Sequence, residues 1–334
     1  MPNPQNNWVR GLDSLRFLLA GVVMLSHIEN PMVASLKHSF SLPLRLIGLL
    51  ANHLFCGAAA VIVFFVISGF VIHHPFRNST EINVLKFLVR RWVRIGLPLL
   101  VVGVFSMRYS SYSLIPVWSL YCELIYYTIY PVLRKLKLSW REMIKISYAL
   151  SIALILAFVY DQHRVNTLHI HAFFEGWMWY LAIAVIHLPC WLLGVQLAAV
   201  IDKITDLSHP NIVWLYRVVT VPIAMLLVSL KMHMHINYTY TMIFFALWAV
   251  KWVDCEIRYF RKHGVNQVLE YFGKFSYSLY LCHRIIFSLL SHFFTTTVRS
   301  YIPELLIALG ISYLFYVLVE HPSHKLARRL ALKL

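Results

Sequence analysis

The 334 residues are 60% hydrophobic and only 13% charged, against roughly a quarter charged in an ordinary soluble domain. A soluble fold of this length would bury a core but could not solvate the surface left outside it, so the composition excludes that class and points to a bilayer. A formal net charge of +16 would suggest nucleic acid on a soluble protein; here its distribution along the chain says otherwise.

A helix that crosses the hydrocarbon core needs roughly 20 mostly apolar residues. Ten such runs follow one another: 11–29, 53–74, 92–106, 116–133, 143–160, 177–199, 212–230, 236–252, 272–293 and 302–320. Backbone groups in lipid must be satisfied within the segment, so the runs are predicted as helices, the eighth open to being partly re-entrant. The fold class expected is all-α: a polytopic transmembrane bundle of about ten spans. It is expected to form one integral-membrane domain over residues 1–334, without an appended soluble domain or a cleavable signal peptide. With the N-terminus cytosolic, 23 of the 30 Lys and Arg fall on the inner side and 7 on the outer. That asymmetry predicts both termini in the cytosol. It also assigns most of the charge to topology and membrane lipids, with no nucleic-acid partner. The five cysteines form no C-x-x-C pair and read as small hydrophobes.

Ionisable residues inside such runs are costly and are the first place to look for chemistry. The first run carries Arg16 and, eleven residues on, His27. In an ideal helix that spacing is three turns plus about 20°, which puts both on one face roughly 16 Å apart, on the order of a pantetheine arm. An arginine at the mouth could hold a phosphate while a histidine acts as general base; a topology arginine with an interfacial histidine competes with this. The second run ends Phe64 to Phe70 with Ser68-Gly69, which permits close approach of a helix or of a ligand. Ser68 lies in no G-x-S-x-G elbow and is a poor nucleophile. In the third run Arg91 and Arg94 are helical neighbours. Two guanidinium forks suit a polyphosphate, and snorkelling positive-inside charge is the alternative. The fourth run opens with Trp118 and Ser119 and places Glu123 one turn in, where the carboxylate needs a partner. It could orient a histidine, meet an acceptor hydroxyl or form a structural ion pair. His283 in the ninth run and Glu320 at the end of the tenth are second-tier candidates. The remaining histidines lack ligand spacing, and no metal is expected.

Taken together, these segments resemble the membrane acyltransferase-3 family, in order along nearly the whole chain. The matching pieces are Arg16 with His27, the Phe64–Phe70 helix end, Arg91-x-x-Arg94, Trp118-Ser-Leu-x-x-Glu123, Ser276-Tyr-x-Leu-Tyr-Leu-x-His283 and Glu320-x-Pro322. Arg284 departs from the family, which usually has an aromatic there, and Ser323-His324 replaces its usual aromatic-basic pair. The resemblance implies O-acylation, usually acetylation, of a cell-surface or exported glycan or lipid-linked glycan, with cytosolic acyl-CoA (acetyl-CoA) as donor. Acylation of a secondary metabolite or lipid, or transport of an acylated saccharide or small acid, are the rival readings. The implied roles are catalysis by His27 and Glu123, acyl-CoA binding by Arg16, Arg91, Arg94 and Ser68, and substrate binding by Trp118, Ser119 and His283. The implied setting is a bacterial cytoplasmic membrane, with a homo-oligomer allowed.

Overall fold

A backbone outside water keeps its hydrogen bonds only by closing them within a segment, and the apolar runs fold accordingly. A computed structural model describes residues 9–79, 81–109, 117–168, 174–202, 210–293 and 295–334. Among these it holds helices and no strands. In chain order they are α1 (Leu12–Leu25), α2 (Pro31–Lys37), α3 (Leu42–Asn52), α4 (Gly57–His73), α5 (Val84–Tyr109), α6 (Val117–Leu133) and α7 (Trp140–Leu168). There follow α8 (Gly176–Val200), α9 (Pro210–Met234), α10 (Tyr238–His263), α11 (Gln267–Gly273), α12 (Ser276–Leu290), α13 (Tyr301–Phe315) and α14 (His321–Leu332). Each of the ten predicted runs contains one long helix, and α10, the run open to being re-entrant, is continuous. By length and composition, five stretches of the described residues could cross a membrane: Leu42–Phe76, Trp140–Thr167, Gly176–Val200, Ile212–Met234 and Tyr301–Leu332.

The centre is the crossing of α4 and α8, which are apolar on every side and largely buried, as helices without a polar face must be. Two glycines set how close they come. A methyl at Gly69 would lie 2.0 Å from the Trp191 carbonyl oxygen, and one at Gly194 would lie 1.9 Å from that of Val66. Sequence reading left open whether Ser68-Gly69 admits a helix or a ligand; Gly69 admits a helix. Around this pair stand α1, α6, α7 and α10, with α9 against α10 and α13 against α12. The outer helices turn leucine, isoleucine and valine outward, for example Leu150 and Leu156 on α7, Leu215 and Val218 on α9, and Leu306 and Leu318 on α13 and the turn after it. An apolar rim of this extent needs lipid or protein against it.

The start of α1 is held by a distant carboxylate. Glu270 of α11 accepts from the backbone N–H of Gly11 (3.0 Å) and of Ser14 (3.1 Å), and from the Ser14 hydroxyl (2.7 Å). A negative group on the orphan N–H groups of a helix start is favourable on both hydrogen-bonding and dipole grounds. Gly11 sits at φ 92°, and a methyl there would fall 2.1 Å from the Phe260 ring.

The predicted tenth run stops at residue 320, but the helix does not. A π-turn over Tyr316–Glu320 passes directly into α14, and Pro322 is tolerated because it stands in the first turn of that helix. Buried Ala327 and Ala331 let α14 lie against α5. The extra turn width points Glu320 into the bundle, where it is 1% exposed.

Candidate functional site: two cavities on one helix

Two cavities share a wall inside the bundle. The first, about 350 Å³, is lined by Arg16 of α1, Ser68 of α4, Arg91 and Arg94 of α5, and Ser119 and Glu123 of α6. Lys274, Lys325 and Arg328 add to it, so six lysines and arginines face three carboxylates, Asp13, Glu123 and Glu320. Those carboxylates are already bonded. Glu123 Oε1 accepts from the Ser68 hydroxyl (2.7 Å) and from Tyr127. Glu320 Oε2 accepts from the Ser278 backbone N–H (3.2 Å) and hydroxyl (2.5 Å). Asp13 stands 3.5 Å from Arg16. The surplus is positive charge on planar guanidinium groups, a donor set suited to phosphate.

The arginines are braced. Arg91 lies over the rings of Phe87 and Tyr127, at 5.8 and 6.0 Å. Arg94 donates its Nε–H to His324 Nε2 at 3.0 Å, and that nitrogen is 3.5 Å from Glu320 Oε1. An imidazole nitrogen that accepts is unprotonated, so His324 fixes the Arg94 fork as a neutral partner.

The second cavity, about 900 Å³, is lined by His27 just past the end of α1, with Trp118, Trp179, Tyr180, His187, Lys231 and Arg284. His27 Nδ1 is 2.8 Å from the Val23 carbonyl and 3.3 Å from His283 Nε2. His283 Nδ1 in turn is 3.1 Å from the Leu279 carbonyl. A carbonyl can only accept, so each histidine carries its proton on Nδ1. His27 Nδ1–H is then shared between Val23 O and His283 Nε2, and His27 Nε2 keeps its lone pair. A histidine held in this tautomer is set up as a base.

Val61 and Tyr280 line both cavities. The Tyr280 hydroxyl meets the Ser119 hydroxyl at 2.6 Å across the wall. The sequence-predicted residues therefore divide. Arg16, Ser68, Arg91, Arg94, Ser119 and Glu123 come together on one side, and His27 and Trp118 stand on the other. Glu123, expected to help from the acceptor side, shares the arginine cavity because α6 turns adjacent Trp118 and Ser119 to opposite cavities and Glu123 follows Ser119 by one turn. His283, expected to bind substrate, is fully buried and lines neither cavity. It backs His27 instead, since it follows Leu279 by one turn on the inward face of α12.

Tyr127, His187, Tyr280 and His324 were missed as site residues. Tyr127 was findable one helical turn after Glu123, and His324 was visible as a departure from the family pattern. Tyr280 and His187 depend on helix rotation, which no spacing announces.

No curated protein and no solved structure matches the chain. A family model described as an acyltransferase domain matches residues 9–321. With that match over nearly all of its length, and with helices long and apolar enough for a bilayer, the chain belongs to the acyltransferase-3 family and is a membrane acyltransferase.

Proposed function

We propose that this protein moves an acyl group, acetyl in the first instance, from cytosolic acyl-CoA to a hydroxyl of a cell-surface or exported glycan, across a bacterial cytoplasmic membrane. The observation that carries the reading is the pair of cavities joined at Tyr280, one rich in arginine and the other presenting an unprotonated histidine nitrogen. Ten spans with both termini cytosolic complete it, supported by the 23-to-7 distribution of Lys and Arg. That orientation puts Arg16, Arg91 and Arg94 on the side where CoA exists.

In this mechanism the guanidinium groups hold the CoA phosphates, and the pantetheine arm carries the thioester to the Tyr280 wall. His27 Nε2 takes the proton of the acceptor hydroxyl as its oxygen attacks the thioester carbonyl. The C–S bond breaks, the ester C–O bond forms, and the proton passes from His27 to the departing CoA sulfur. The Val23 carbonyl, with His283 beside it, holds His27 in the required tautomer, and Glu123 sets the polar lining beside the arginines through Ser68 and Tyr127.

The test is transfer of label from acetyl-CoA to membrane glycans, scored by mass spectrometry, in cells carrying wild type or His27→Ala at equal expression. Loss of about a hundredfold or more is expected from removal of a general base. Undiminished acylation refutes the role of His27, and purified protein that turns over no CoA ester refutes the activity.

A further inference from the structure

The cavity that holds His27 has a charge of its own. Its lining among the described residues includes two cations, Lys231 near the end of α9 and Arg284 on α12, and no aspartate or glutamate. Neither cation has a carboxylate partner among the described residues. Lys231 instead lies 4.5 Å over the ring of Tyr238. Arg284 is close enough for its charge to act on the His27 imidazole, and it occupies the position where related chains usually carry an aromatic.

Lys231 is exposed and Arg284 half-buried, so both heads are open to an incoming ligand, and two cations without a carboxylate partner on one cavity favour an anion there. The same cavity offers Trp118, Trp179 and Tyr180, whose ring faces suit the C–H faces of a sugar, and the side-chain amides of Asn52 and Asn237. We infer that the acceptor is an anionic glycan: a sugar bearing a carboxylate or phosphate that Lys231 and Arg284 clamp, so that a hydroxyl of the same residue meets His27 Nε2. This rests on the acyltransferase reading for the identity of the cavity as the acceptor site. The clamp itself can be tested without turnover.

The probes are methyl glucoside, methyl glucuronide and methyl glucoside 6-phosphate, titrated calorimetrically into the full-length protein in zwitterionic-lipid nanodiscs. At least one anionic probe is expected to bind about tenfold more tightly than the neutral glucoside, the scale of one charge-assisted hydrogen bond. The tighter of the two names the anionic group. Lys231→Gln with Arg284→Gln should abolish the preference, while Lys231→Arg with Arg284→Lys, which keeps both charges, should retain it. Binding of the neutral glucoside by the Gln pair at wild-type affinity excludes misfolding as the cause of loss. Equal binding of all three probes overturns the inference, as does a preference that survives the Gln pair. A preference that disappears when the nanodiscs contain phosphatidylglycerol also overturns it, because a lipid headgroup then holds the clamp. Acetyl-CoA binding, measured on the same preparation, separates the two readings. Its failure with the anion preference intact removes the acyltransferase reading and leaves the clamp.

Discussion

Gly194→Ala is expected to damage the site from a distance. The added methyl would stand 1.9 Å from the Val66 carbonyl oxygen and 2.9 Å from the Phe70 nitrogen, both backbone atoms that no rotamer change can move. To restore a carbon–oxygen contact of about 3.3 Å, α4 and α8 must part locally by about 1.4 Å. The bond from Trp191 Nε1–H to the Ser68 hydroxyl is already 3.3 Å long, and that displacement takes it beyond hydrogen-bonding range. Ser68 then loses the donor that orients its hydroxyl toward Glu123, and the wall of the arginine cavity loosens. Overpacking of this kind costs about 1–3 kcal/mol, which lowers the melting temperature of a chain this size by about 5 °C. The assay is thermal unfolding of the detergent-solubilised protein followed by size exclusion, with acetyl-CoA binding measured beside it. The control is Gly310→Ala in α13, where a methyl meets nothing within 4 Å. A Gly194→Ala protein that melts no lower than the control refutes the reasoning.

Three further outcomes follow from the geometry. His283→Leu removes one of the two acceptors that share His27 Nδ1–H, leaving the Val23 carbonyl, and should lower kcat by about tenfold, the low end of the range for a partner that orients a working histidine. KM for acetyl-CoA should stay near wild type, and an equal rise in KM would place His283 in the donor site instead. His324→Leu strips the acceptor from Arg94 Nε and should weaken acetyl-CoA binding by about tenfold, read by calorimetry; unchanged affinity would mean that Arg94 needs no brace. Glu270→Ala leaves three donors at the start of α1 unpaired, at a cost of about 1–2 kcal/mol for a lost helix cap. The same thermal assay should register it, and a wild-type melting temperature would show that water replaces the carboxylate.

The helices were legible because their cause is local: apolar runs of sufficient length, read in order, each contain one. The arginine cavity was legible for a related reason. Arg91 and Arg94 are one turn apart, so their shared face follows from helix geometry alone, and Glu123 and Ser68 were marked by polarity in apolar surroundings. What could not be read depends on how helices are rotated against one another. Adjacent Trp118 and Ser119 face different cavities, and nothing in their order says which. Arg16 and His27 were expected on one helical face but open into different cavities, since α1 ends at Leu25 before His27 is reached. The pair α2 and α3 also escaped, because its helices are short and pack through Gly48, where a methyl would lie 2.5 Å from the Lys37 nitrogen.

The capping of α1 by Glu270 has a consequence for how the protein is made. The capped groups and the cap are 256–259 residues apart. At synthesis rates of about 5–20 residues per second, the first helix waits about 10–50 seconds for its partner. During that interval the N–H groups of Gly11 and Ser14 lack the Glu270 carboxylate. The arginine cavity draws on α1, α4, α5, α6, α12 and α14, so its walls come from widely separated parts of the chain. A chain interrupted between α6 and α11 thus carries Arg16, Arg91 and Arg94 but lacks Glu270, α12 and Arg328, and still cannot assemble the cavity. On the acyl-CoA reading proposed above, donor binding is acquired only once α14 is in place.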